Sequence, residues 1–137
     1  MKISLNQVAC MFCNYNEAYF DNCLPEPEFE LIHSFRYFGY FRSDIEDGTT
    51  VNPTIQISDQ YDYTEKQFRN ILIHEMIHYY LAYTGIDTDG SHGNEFNKMA
   101  RKFNKEYGMN ITETINMNEY KRLKGTSAIK YALAKLF

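Results

Sequence analysis

Residues 71–80 read ILIHEMIHYY. An almost wholly apolar run carries two histidines and a glutamate at its centre. Buried polar groups are costly unless something satisfies them, so His74, Glu75 and His78 either face water or share a partner. The flanks say which. TEKQ (Thr64–Gln67) fits a capping box, and Gly85 is a natural left-handed terminator, so the spacing predicts a helix over about 65–83. Its other positions include Phe68, Ile71, Leu72, Ile73, Met76, Ile77 and Leu81. A helix apolar on nearly every side is a buried helix.

Within it, His74-Glu75-Met76-Ile77-His78 is HExxH, a pattern that shuffling this composition produces in about one trial in a hundred. Residues four apart on a helix project from one face, with Cβ atoms about 6 Å apart. Two imidazoles so placed can bind one metal ion, and zinc takes nitrogen ligands at about 2.0–2.1 Å. Glu75 lies about 100° around the helix from His74, free to flank the metal and act on a bound water. That is the division of labour of a zinc peptidase: the metal acidifies the water, and the carboxylate takes its proton and passes it to the leaving amine. A metal ion would be the missing partner of the polar trio.

A catalytic zinc needs a third protein ligand and an open position. The compact extension HExxHxxGxxH fails, because position 81 is Leu and position 84 is Thr. The downstream candidates are His92, Glu95, Asp87 and Asp89. His92 should open a second helix and share a face with Phe96, Met99 and Phe103, and Gly93 beside it permits close approach. Glu95 is the runner-up ligand, and the aspartates suit the loop IDTDGSHG. Tyr79, Tyr80 and Tyr83 are candidates for a donor to the developing oxyanion, though tyrosines on a buried helix usually pack.

Outside this region, SLNQ (Ser4–Gln7) opens a helix over about 5–20, ended by the prolines of LPEPEF. EFELIHSFRYFGYFRSD predicts two antiparallel strands, about 29–35 and 38–43, IEDGTTVNP a turn, and TIQIS (54–58) a third strand whose exposed edge could take a substrate backbone. His33, alone in a strand, carries no functional expectation. A helix stopped by Gly108 follows the loop, and residues 117–124 and 127–136 are expected to be helical. The order helix, small sheet, helices is α+β.

The chain has 137 residues and is 44% hydrophobic, enough to bury a real core. It is expected to form one domain over 1–137, with a core at about 12–108 and a C-terminal extension at 109–137. No apolar stretch approaches the roughly 18 residues of a membrane span, and the start does not fit a signal peptide, so a cytoplasmic protein without membrane contact is expected. Three cysteines offer no disulfide framework. Cys10 and Cys13 form a CxxC with only nine residues before it, not the βαβ setting of a redox motif. The net charge of −4 divides into −10 over 1–97 and +6 over 98–137. Such asymmetry can mark a nucleic-acid surface, although basic helix faces are usually only solvated.

HEMIH followed by HGNEF resembles the SprT-like zinc metallopeptidase domain, whose pattern is HExxH, a loop, then HGxxF. NEAYFDNCLP (16–25), FGYFRS and IQIS resemble its segments upstream, so that the likeness covers about 12–108. It implies a zincin-like fold: an N-terminal helix, a small antiparallel sheet, the HExxH helix, a ligand-bearing helix and C-terminal helices. It also implies Zn2+ held by His74, His78 and His92, Glu75 as catalytic base, and a protein or peptide substrate. The family includes Spartan, a protease acting on proteins crosslinked to DNA. Many relatives carry a C-terminal cysteine zinc ribbon, and the last 30 residues here hold no cysteine. DNA is therefore a weaker expected partner. The alternative reading is a DNA-associated binding module whose metal site is structural or vestigial, and a metal-dependent hydrolase of a non-peptide substrate is a further one.

Overall fold

The computed structural model describes residues 1–87, 89–115, 117–123 and 134–136. Helix α1 runs Leu5–Tyr19, its first turn capped by the Ser4 side chain, which accepts from the Gln7 N–H at 3.2 Å. The prolines do not end it. Asp21 and Asn22 do, in left-handed conformation at φ 52° and 55°. Asn16 holds the loop that follows, donating to the Leu24 carbonyl and accepting from the Leu24 N–H. Cys10 and Cys13 are exposed free thiols on this helix.

Strands β1 (Glu28–Ile32), β2 (Tyr37–Glu46) and β3 (Thr49–Ser58) build the sheet, completed by β5 (Thr114–Ile115) and β7 (Ala134–Leu136) in the order β1-β3-β2-β7-β5. The hairpin is β2–β3, not the expected antiparallel pair at about 29–35 and 38–43. Asp47 and Gly48 both take positive φ, 50° and 75°, the backbone of the two-residue turn that suits a twisted hairpin, and Glu46 stands opposite Thr49. With β2 on one side of β3, β1 pairs parallel on the other. The sheet is thus mixed rather than antiparallel, with β2 as its middle strand, and TIQIS lies in β3 between β1 and β2. Both of its edges are taken, so it cannot accept a substrate backbone.

The register sorts the side chains. Phe29, Ile55 and Phe41 line up across the three strands, as do Leu31, Ile57 and Gly39. This face meets the helices: Phe12 of α1 packs on Phe29, and Phe41 stacks on Tyr79 with ring centroids 5.2 Å apart. Residues of the other parity, Glu30 and Arg42 among them, form an exposed ion pair on the far face. At one end that face is covered by β4 (Tyr61–Asp62) and β6 (Lys121–Arg122), which bring Tyr61 and Tyr120 onto Phe38.

Helix α2 (Glu65–Tyr83) has the predicted bounds, and both hydrogen bonds of its capping box are made between Thr64 and Gln67. Eleven of its residues are buried, His74, Glu75 and His78 with them. Helix α3 (Asn94–Tyr107) lies against it and ends at Gly108, φ 64°. His92 does not open α3. Gly93 is the N-cap, so His92 sits one residue ahead of it.

The C-terminal helices are a correction. Met117–Glu119 is a single 3-10 turn, Lys121–Arg122 pairs with β4, and Ala134–Leu136 is a strand beside β2. Residues 124 and 127–133 of that expectation lie outside the described residues. Strand pairing with a distant partner overrides the local helical preference. Among the described residues no helix is long and apolar enough to cross a membrane.

Because α2 carries the polar trio, its cap bears on the whole site. Thr64→Ala removes one side-chain acceptor and is expected to lower stability by about 1 kcal/mol, read as a shifted urea midpoint with an unchanged m-value.

Candidate metal centre

Helix α2 places His74 and His78 one turn apart on the side facing α3, and the loop after Gly85 returns the chain so that His92 meets them. Gly85 takes φ 74°, and the Asp87 N–H donates back to the Leu81 carbonyl. Asp87 then accepts from the Asp89 N–H and Asp89 from the Ser91 N–H, two short turns that shape the approach to His92.

The three rings form a nearly equilateral triangle, with centroids 5.1, 4.9 and 5.0 Å apart. Phe96, from the first turn of α3, packs against all three at 4.7, 4.6 and 4.9 Å. The Nε2 atoms of His74 and His92 stand 3.0 Å apart. One nitrogen of each ring lies within 4.8 Å of the other two, a grouping that could hold a metal ion. Tetrahedral zinc would separate its nitrogen ligands by about 3.3–3.4 Å, inside that range.

Burial governs the charge state. His74 is 0% and His78 4% exposed, and His92 is half-buried. Desolvation pushes His74 well below the ordinary histidine value, and the neighbouring His78 and His92 add to it; only the Thr112 backbone acts the other way. His78 is pushed down to about 4 by burial and then by His92. His92 is lowered by burial against a smaller opposing pull from Glu113. All three are neutral imidazoles at pH 7, the form that ligates a metal.

Glu75 is 0% exposed, and among the described residues neither carboxyl oxygen has a hydrogen-bond partner. Burial alone pushes its pKa well above the usual carboxylate value. His78 Nε2 is likewise buried without a hydrogen-bond partner among the described residues. Orphaned atoms of this kind are rare in folded proteins. His74 turns its Nε2 toward His92 and meets the Thr112 backbone with the rest of its ring, so a cation among the three rings would take His74 by Nε2 and would supply the Glu75 carboxylate with an opposite charge.

The other candidates lie elsewhere. Glu95 faces an apolar groove with Tyr80, Tyr83, Met99 and Phe103. Asp87 and Asp89 line a cleft of about 200 Å³ beside His78, closed on its far side by Tyr40–Ser43 of β2. Tyr79 spends its hydroxyl on the Pro25 carbonyl at 2.8 Å, and Tyr80 and Tyr83 face the groove. None of the three is an oxyanion donor to this cluster. His33 pairs with Asp59 on the surface at 2.7 Å. Sequence reasoning missed Phe96 as the common floor of the three rings, the β2 wall of the cleft and the approach of Gly39 to Glu75. The i, i+4 spacing of His92 and Phe96 puts them on one face, without showing that Phe96 lies under all three rings.

The SprT-like family model matches residues 8–118, from α1 to the turn after β5. No curated protein and no solved structure matches the chain.

In the metal-free protein the buried imidazoles stay neutral while their unfolded counterparts protonate near 6.5. Unfolding therefore takes up protons below that pH, and stability falls as pH drops through 6.5 toward about 4, the value for His78. Glu75 works in the opposite sense, since its folded carboxyl keeps a proton that the unfolded one releases above 4.5. With three groups against one, urea unfolding of metal-stripped protein at about pH 7, 6 and 5 should show decreasing stability.

Proposed function

The chain belongs to the SprT-like family, and from that we propose that it is a zinc-dependent metallopeptidase hydrolysing peptide bonds in a protein or peptide substrate. One observation carries the reading: one nitrogen from each of three imidazoles, two buried and one half-buried, converges within 4.8 Å of the other two, and the next residue after His74 is a buried glutamate with no hydrogen-bond partner among the described residues. His74, His78 and His92 would hold the ion. Zinc, when bound, supplies Lewis acidity toward water and toward a peptide carbonyl.

The remaining work belongs to the chain. Glu75 accepts the proton of the attacking water and returns it to the leaving amine. Its burial raises its proton affinity above that of an exposed glutamate, which suits a group that must both take and give a proton near neutral pH. The cleft beside His78 takes the substrate. Strand β2 pairs with β7 at Tyr37 and Gly39, and among the described residues no strand pairs with it on that side from Phe41 to Glu46. A peptide lying along this stretch would run past His78 as an added strand, held by its backbone, with Arg42, Asp87 and Asp89 within reach of its side chains.

A second reading has its own support. Lys98, Arg101, Lys102 and Lys105 are exposed on α3 at i, i+3, i+4 and i+7 spacing, a polyanion-facing stripe on the helix next to the metal site. A DNA-associated module of this kind would bind labelled duplex DNA with affinity that falls steeply as salt rises, and no binding at low salt removes it.

The peptidase reading is tested on three variants. Glu75→Gln is expected to keep fold and zinc content while hydrolysis of an unfolded protein falls by about 10²–10⁴-fold. His92→Ala should lower the zinc bound per chain by elemental analysis, and Glu95→Ala should leave it unchanged. Hydrolysis by Glu75→Gln at the parent rate would remove Glu75 from the chemistry.

A further inference from the structure

Strand β2 passes α2 at the level of Glu75, and the residue at that crossing is Gly39. Its backbone does not lie in the left-handed region, so no conformational demand calls for glycine, and glycine inside a strand weakens it. Space is the demand. A methyl group on Gly39 would stand 2.9 Å from Glu75 Oε2, 3.2 Å from its Cγ and 3.3 Å from the Gln56 carbonyl oxygen. Carbon and its non-bonded neighbours are comfortable at about 3.5–4.0 Å.

The strand is held on both faces. Phe38 is fully buried, its ring 4.5 Å from Tyr61 and 4.6 Å from Tyr120. Phe41 is stacked on Tyr79 on the opposite face, and Gly39 itself stands in register with Ile57 of β3. Glu75, by contrast, has a flexible side chain whose oxygens no hydrogen bond from the described residues holds. An atom added at position 39 therefore meets its closest obstacle in the carboxyl, which can move, and a milder one in the Gln56 carbonyl, which the sheet holds.

We infer that Gly39 is a positioning residue: the side chain missing from β2 lets the Glu75 carboxyl lie against the sheet and so sets where that carboxyl stands beside the imidazole cluster. This rests on Glu75 being the proton acceptor, as read above. It differs from the blander role of a glycine that merely lets a helix approach a strand, because it ties position 39 to one side chain.

The test is a cycle of Gly39→Ala, Glu75→Asp and the double variant, with zinc content, urea midpoint and steady-state hydrolysis of unfolded casein measured for each. Gly39→Ala is expected to keep its zinc, to lose about tenfold or more in kcat with KM within about twofold of the parent, and to be less stable. In the Glu75→Asp background, where the carboxyl is one methylene shorter, the same change should cost less than about half as much stability. Equal losses in both backgrounds, or an unchanged kcat in Gly39→Ala, overturn the proposal. If Gly39→Ala alone does not fold, Gly39→Ala combined with Glu75→Ala should fold, and its failure also overturns it. A parent chain that binds zinc but hydrolyses nothing, with the stability coupling intact, leaves the positioning of Glu75 standing and removes the peptidase reading instead.

Discussion

Two imidazoles and a carboxyl lie inside the core on one helix, and His78 Nε2 and both oxygens of Glu75 find no hydrogen-bond partner among the described residues. In an interior of low dielectric such groups destabilise the fold unless a charge or a hydrogen bond answers them. Much else in the structure follows from where that answer has to stand. A helix buried on all sides cannot turn its polar residues to solvent, so the partner must come between α2 and its neighbours. The loop after α2 and the start of α3 bring His92 to that point, and Phe96 fills the space beneath all three rings.

The sheet contributes more than a platform. The stretch of cleanest alternation is enclosed between β1 and β2, which leaves β2, the middle strand, to face the cleft. One strand then carries three demands. Phe38 and Phe41 anchor it to opposite faces of the core, Gly39 leaves room for the carboxyl of Glu75, and the residues beyond Gly39 wall the space beside His78. The segment after α3 closes the arrangement, because β5 and β7 extend the sheet and Thr112 lies against His74.

Electrostatically the site is built by removal of water rather than by paired charges. Desolvation comes first among the causes for each of His74, Glu75, His78 and His92. It keeps the imidazoles neutral and raises the proton affinity of the carboxyl, opposite consequences of one environment for a base and an acid. A dication would then meet ready lone pairs on one side and a carboxyl able to trade its proton on the other.

Much of this was legible in the sequence alone, wherever the signal was local. The bounds of α2, its capping box and its burial follow from residues within one helix, as does the pairing of His74 with His78, because helical periodicity converts spacing directly into a shared face. His92 was legible with less force: Gly85 and Gly93 imply a turn back, but Glu95 lay three residues on, and only the packed position of α3 separates a ring that meets His74 from a carboxylate that faces a groove. Strand order was not legible, since pairing joins residues distant in the chain. The Asp47–Gly48 turn made the hairpin β2–β3, and that alone displaced β1 to the other side of β3. The C-terminal segment became strand where its local pattern suggested helix, and Gly39 read as a plain break between aromatic residues. Its meaning, room for a carboxyl carried 36 positions away, exists only once strand and helix are packed together.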